Sequence, residues 1–231
     1  MSTMETFSVR VTAKALHRRK ILLKVTAIVL LICVLLLGLM YCFTLVSDNV
    51  GSFTVYVPDG HERSLSISTK SDFSEMTTYL EAEVLPQMDN ITQSWLPENL
   101  DGTDGSHNGD NYIAYTYYLK NTGIETISYL AEVNIESVTK GADEAVRVMV
   151  IKNGEKTVYG KTQKGSTEPE PDAVAFPGNT KAMSEQYDGF EPGAVDKYTV
   201  VIWLEGEDPE CIDDIKGGQV RMAMHFSIVD A

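Results

Sequence analysis

The sequence predicts a mostly β domain, a β-sandwich or jelly roll, behind one N-terminal transmembrane helix. Three observations predict it. An uncharged apolar run extends from Val25 to Val46, several later stretches alternate apolar and polar residues with period two, and turn chemistry separates those stretches. Strand–helix alternation of the kind that builds a parallel sheet is missing.

The apolar run reads VTAIVLLICVLLLGLMYCFTLV, 22 residues without a charge. As a helix it rises about 33 Å, enough for a hydrocarbon core of about 30 Å. A cleaved signal peptide has a shorter apolar region, about 7–15 residues, and ends at a small-residue site. The longer run and the Ser47-Asp48-Asn49-Val50-Gly51-Ser52 that follows it predict a retained signal-anchor over residues 21–46. Arg18, Arg19, Lys20 and Lys24 precede the run and Asp48 follows it. The positive-inside rule then makes residues 1–20 a basic cytoplasmic segment and residues 47–231 an extracellular domain. Tyr41 and Phe43 fall near the outer end, where aromatic side chains favour the interface.

Charge divides the chain in the same place. The whole chain has 33 acidic and 19 basic residues. Residues 1–46 hold one of the acidic and six of the basic ones, which leaves 32 against 13, a net of −19, for the rest. So acidic a domain repels nucleic acid and anionic surfaces. Cys33 and Cys42 lie in the apolar run and Cys211 is the one cysteine outside it, so no disulfide forms within the outer domain. Its stability must come from a core.

Short strands are expected at 53–57 and 65–68. Residues 71–98 fit either helix or irregular structure, and 99–111, rich in Asp, Gly and Asn, read as a loop. Residues 112–120, YIAYTYYLK, are aromatic and β-rich, and Asn121-Thr122-Gly123 turns the chain after them. Ile127, Tyr129, Ala131, Val133 and Ile135 alternate toward one face. Residues 146–161 form a hairpin around Asn153-Gly154, because both residues accept the positive φ of a type I′ turn. Residues 162–180 read as a second loop. The near-continuous apolar run Tyr198 to Leu204 reads as a central strand. A short helix is expected at 208–216, capped by Asp208, started by Pro209 and ended by Gly217-Gly218, with Cys211, Ile212 and Ile215 on one face. In the last strand Val220, Met222, Met224, Phe226 and Ile228 share a face.

Catalytic motifs are sparse. His61, His107 and His225 have no metal-ligand spacing, and no G-x-S-x-G elbow, Walker loop or dinucleotide fingerprint occurs. Calcium is the one cofactor with candidate ligands. Asp101, Asp104 and Asp110 lie in a loop that, with Ser106, Asn108 and Gly109, imitates the first half of an EF-hand. The twelfth position is Tyr115 where such a loop needs a bidentate Glu, so a polar turn explains the same residues. Glu205, Glu207, Asp208, Glu210, Asp213 and Asp214 are expected to be a solvated loop and helix start. Asn90-Ile91-Thr92 is a formal glycosylation sequon.

Two stretches carry a resemblance. AYTYYLKNTG at 114–123, and KYTVVIWLEGEDPEC at 197–211 followed by IKGG at 215–218, resemble segments of uncharacterised clostridial membrane-anchored proteins and, more distantly, the TasA–camelysin group. The resemblance extends from Tyr112 to the C-terminus. It implies a secreted β-sandwich or jelly roll in a Gram-positive envelope, with either a matrix-fibre or a metalloprotease role. The basic N-terminus and retained anchor depart from the freely secreted fibre subunits, and no zinc-ligand spacing supports a protease. No catalytic residue carries over. The expectation is a non-enzymatic cell-surface module held by one helix in the membrane, whose partners are itself or other envelope proteins. The alternatives are an extracellular metal-dependent hydrolase of camelysin type and, if the anchor is cleaved, a secreted matrix-fibre subunit.

Overall fold

The computed structural model describes residues 9–47 and 52–229, which belong to two units dividing between Asn49 and Val50. The first is a single helix, α1, Val9–Ser47. It begins well inside the basic segment that the sequence separates as residues 1–20. The reason is local: residues 9–24 contain no Gly or Pro and are rich in Ala, Leu, Lys and Arg, all good helix formers. Within α1, His17–Tyr41 is long and apolar enough to cross a membrane, with mean hydropathy 2.9. Its side chains are exposed throughout, Arg18, Arg19, Lys20, Lys24 and Tyr41 among them. Thr26 donates its hydroxyl hydrogen to the Leu22 carbonyl at 2.8 Å, so the one hydroxyl early in the apolar run is satisfied inside the helix. Asp48 and the side chains of Cys42 and Phe43 lie outside the described residues.

The second unit is a two-sheet β-sandwich. Its strands are β1 Ser52–Tyr56, β2 Leu65–Ser68, β3 Tyr79–Glu81, β4 Gly105–Ser106, β5 Tyr112–Asn121, β6 Ile127–Val138, β7 Val146–Lys152, β8 Glu155–Gly160, β9 Val174–Ala175, β10 Lys181–Phe190, β11 Val195–Leu204 and β12 Val220–Val229. One sheet runs β10-β6-β12-β1-β3 and the other β2-β5-β11-β7-β8-β9, with β4 paired to β5. Neighbours are antiparallel except β1 on β12 and β8 on β9, which are parallel. The hairpin turn at Asn153-Gly154 has φ of 51° and 90°, the geometry expected of these two residues.

The core lies between the sheets. Phe53, Val55, Tyr117, Tyr129, Val133, Val148, Val200, Met224 and Phe226 meet there, each on the inward positions of its strand. A second apolar layer covers the outer face of the larger sheet. Ile91, Leu96 and Leu100 pack on Ala114, Met149, Ile151, Val201 and Trp203. The unbroken apolar run of β11 follows from this: its even positions face the sandwich core and Val201 and Trp203 face the covering segment. Residues 71–98 are mainly irregular, with β3 and a 3-10 turn at Gln93–Trp95.

The expected helix at 208–216 does not form. The chain makes turns there and a 3-10 turn at Asp213–Ile215. Asp208 is drawn inward to Arg147, and its Oδ1 accepts the Glu210 N–H at 2.8 Å. That bond is the one an N-cap Asp makes to the second helical amide, so the cap forms, but a segment of nine residues is too short to hold a helix by itself.

Candidate functional site

Interior residues of a sandwich are normally sealed at each end by the connecting loops. At one end of this domain the loops leave a gap, although Ile113, Val146, Ile202 and Met222 beneath it stay buried. A cleft of about 490 Å³ opens there between the sheets. Its floor is Ile113 from β5, Val146 from β7, Ile202 and Leu204 from β11, and Val220 and Met222 from β12. The floor side chains are all aliphatic or thioether and supply no strong donor or acceptor. No aromatic ring lines the cleft among the described residues.

Two loops make the walls. Leu85, Pro86 and Met88 form one, fixed by the Asp89 N–H donating to Asn111 Oδ1 at 2.9 Å and the Ile91 N–H donating to the Leu204 carbonyl at 2.9 Å. The turn 211–219 forms the other and contributes Cys211, Ile212 and Ile215. The Gln219 carbonyl accepts the Thr139 N–H, the Gln219 N–H donates to Thr139 Oγ1, and Lys140 Nζ donates to the Lys216 carbonyl at 2.6 Å. Gly218 permits this packing: a Cβ there would lie 2.7 Å from the Ile215 carbonyl oxygen and 2.8 Å from Ala142 Cβ and the Thr139 carbonyl oxygen. The rim carries both signs of charge, Asp89 and an exposed Asp213–Lys216 pair at 2.8 Å. Cys211 is partly buried, and that burial, with Asp208 and Glu205 nearby, raises its thiol pKa. The sequence placed Cys211, Ile212 and Ile215 on a helix packed against the sheet; they line an open cleft instead. Three apolar residues in an otherwise acidic turn were the available signal.

The acidic turn is less solvated than its composition suggests. Asp208 Oδ2 lies 2.6 Å from Arg147 Nη2, and Glu170 lies 3.6 Å from the same nitrogen, all three side chains being buried. Burial and the Asp208 charge push the Glu170 carboxyl above its ordinary value, against the pull of Arg147. Glu205 accepts from Trp203 Nε1 at 3.0 Å and from the Gln93 N–H at 3.1 Å. Glu170, Asp208 and Glu210 are, among the described residues, the one group of three acidic, His or Cys side chains close enough to share an ion. Arg147 already supplies positive charge there, so the group reads as an ion-pair clamp tying loop 162–180 to the turn after β11.

The calcium candidates are not brought together. Asp104 accepts from the Tyr118 hydroxyl at 2.7 Å, Asp101 offers its backbone carbonyl to Lys197 Nζ, and Asp110 is exposed. Ser106 and Asn108 bind the backbone of Glu83. The three histidines of the sandwich are also apart. His61 Nδ1 accepts the Ile228 N–H, His107 lies between the Gly105 and Leu100 carbonyls, and His225 Nε2 is 2.9 Å from Glu132 Oε2. Around Glu132, on the outer face of the smaller sheet, Lys181, Ser184 and His225 converge, and Tyr56 stacks on His225. Burial raises the Glu132 pKa, but the bonds from Lys181 and Ser184 outweigh it and hold the carboxyl below the usual range.

No family model matches the sequence, and no curated protein is similar to it. Two solved structures of a β-glucosidase from Kluyveromyces marxianus, one in complex with glucose and one selenomethionine-labelled, align with 72% of this chain. Identities are 12% and 10%, and TM-scores are 0.26 and 0.27. This chain spans only 15% and 16% of theirs, and a likeness of this size says nothing about activity.

Proposed function

We propose that this chain is a membrane-anchored cell-surface module of a Gram-positive envelope, with a non-enzymatic structural, adhesive or matrix-assembly role. The carrying observation is the segment His17–Tyr41, an apolar helix of spanning length with its side chains exposed, followed directly in sequence by a folded β-sandwich. Lipid is the solvent that such a surface suits. The basic residues before the segment support a cytoplasmic N-terminus and an outer C-terminal domain. The resemblance of residues 112–231 to the TasA–camelysin group supports an envelope role. β10 supports assembly: ten residues long, it pairs among the described strands with β6 alone, which leaves its other edge for a further strand.

Cell fractionation with external protease tests the reading. Full-length protein in the membrane fraction, with its C-terminal domain digested in intact cells, is the expected result. A shortened species in the medium would replace the anchor with a cleaved signal and favour a secreted fibre subunit. Full-length protein in the soluble fraction would overturn the anchor.

A further inference from the structure

We propose that the Lys161 amine and the Asp143 carboxyl condense into an intramolecular amide that fastens the open end of the β7–β8 hairpin. The strands bring the two groups together. Asp143 lies in a 3-10 turn, Ala142–Glu144, one residue before β7, and Lys161 directly follows β8. β7 and β8 pair from Lys152 opposite Glu155 to Arg147 opposite Gly160, so residues just beyond the last pair meet across 18 positions of sequence. Both carriers are tied down. The Glu144 N–H donates to the Gly141 carbonyl at 3.1 Å, the Ala145 carbonyl accepts the Glu205 N–H at 2.8 Å, and the Gly160 carbonyl accepts the Phe176 N–H at 2.8 Å.

Lys161 Nζ lies 2.6 Å from Asp143 Oδ2 and 2.8 Å from Glu144 Oε1. Among the described residues it is the one lysine that hydrogen-bonds two carboxylates. The other lysine pairs lack this arrangement. Lys70 and Glu75 are exposed, Lys181 shares Glu132 with Ser184 and His225, and Lys152 shares Asp196 with Tyr129 and Asn153. The Lys161 and Asp143 side chains are only 17% and 8% exposed, so water competes poorly for either. A nitrogen hydrogen-bonded to one carboxyl oxygen lies about 3–3.5 Å from the carboxyl carbon, the separation of a near-attack arrangement. Burial works against the ammonium, but its bonds to Asp143 and Glu144 outweigh burial and raise the Lys161 pKa, so the resting state is an ion pair.

Condensation starts from that pair. The ammonium passes one proton to Asp143, which leaves a neutral amine and a carboxylic acid, free of the charges that desolvation penalises. Nζ then attacks Cγ. Glu144 takes a second proton from the nitrogen and returns it to the departing hydroxyl, which leaves as water. One C–N bond forms, one C–O bond breaks, nothing is oxidised or reduced, and Glu144 ends as it began. Groups held as parts of one fold reach effective molarities of about 10⁵–10⁸ M, which moves the balance from hydrolysis toward the amide.

The test is the intact mass of the full chain, purified in detergent, aged at neutral pH and denatured before measurement. The expected mass is lower than that of the sequence by one water, and a tryptic digest should contain Gly141–Arg147 joined to Thr157–Lys164. The full sequence mass, with the two peptides separate, would overturn the proposal. Lys161→Arg keeps the positive charge but cannot form this amide, and it should restore the full mass. A water still missing from that variant would place the loss elsewhere and would also overturn the proposal. Glu144→Gln leaves the amine and the Asp143 carboxyl in place and removes the proton acceptor, so crosslinking should slow by about 10²-fold or more. An unchanged rate would overturn the step assigned to Glu144.

Discussion

The two ends of the sandwich core are built from different chemistry. At the end away from the cleft the space is filled by rings. Tyr117 stacks on Tyr198 at 5.9 Å, and Phe226 contacts Tyr117, Tyr129 and Tyr198. The hydroxyls are all placed. Tyr129 donates to Asp196, lies 2.8 Å from the Tyr198 hydroxyl, and Asp196 also receives Asn153 at 2.6 Å and Lys152 at 3.1 Å. Burial pushes the Tyr129 and Tyr198 hydroxyls well up, and Tyr187, over which Lys152 sits, up to about 12. The cleft end has flexible aliphatic side chains and a polar rim. A core of rings locked by hydrogen bonds is specified on every side, whereas an aliphatic cavity is specified only in shape.

The largest effect that would break this contrast belongs to the filled end. Phe226→Ala should cost about 3–5 kcal/mol, because the rings around it are tied by their hydroxyls and cannot collapse into the hole. Urea unfolding of the full chain, followed by emission of the buried Trp203, measures it; Trp95 is 70% exposed and contributes little change. A loss under about 1 kcal/mol would mean that the aromatic end is as adaptable as the aliphatic one.

Tyr129→Phe keeps the ring and removes one hydroxyl. It deprives the buried Asp196 of a donor but leaves it Asn153 and Lys152, so the expected cost is smaller, about 1–3 kcal/mol. Asp196→Asn in the same background should be less than additive, since both substitutions remove the same bond. Additivity in this double-mutant cycle would mean that the two groups act separately.

Most of the fold was legible because its strands obey simple periods. β12, β6 and the 146–160 hairpin stand where alternation and Asn153-Gly154 put them. β10 escaped notice. A bulge lies between Lys181 and Met183, so Ala182 and Met183 are both buried and the alternation is broken, and the next residues, Glu185, Gln186 and Asp188, are polar. The site was less legible for a different reason. Its floor residues are ordinary strand residues, and whether an inward Ile or Val meets a neighbour or a void depends on distant loops. The acidic turn misled because charge suggests solvent, while Asp208 and Glu205 are held inside by Arg147 and Trp203. Such pairing crosses 61 positions in sequence for Asp208 and has no local signature.

The ion-pair clamp below that turn yields a pH dependence of modest size. The Glu170 carboxyl is held above its ordinary value of about 4.3 by burial and by Asp208. Burial and the Asp208 charge disfavour its ionised form in the folded state. As pH falls through its raised pKa toward the unfolded value, the folded chain binds the proton first and stability rises. Glu132 works in the opposite sense. Its pKa is depressed, so its contribution is present above the unfolded value and is lost only when pH falls through the lower folded one. Glu170→Gln should therefore flatten the rise between neutral pH and about 4.3 without touching the acid loss below it. Urea midpoints measured across that interval decide it, and an unchanged slope in the variant would assign the rise elsewhere.

The smallest effect is expected on the cleft lip, and its smallness is the point. Ile212 is exposed and makes no core contact that its removal would empty, so Ile212→Ser should change stability by less than about 0.5 kcal/mol. Ile202→Val, one methyl on the cleft floor, should stay near the low end of the usual cost, about 0.5 kcal/mol, because the space it vacates joins a cavity already open. A fall in stability of several kcal/mol with either substitution would show that this end is as tightly packed as the ring-filled one, and the contrast between the two would disappear.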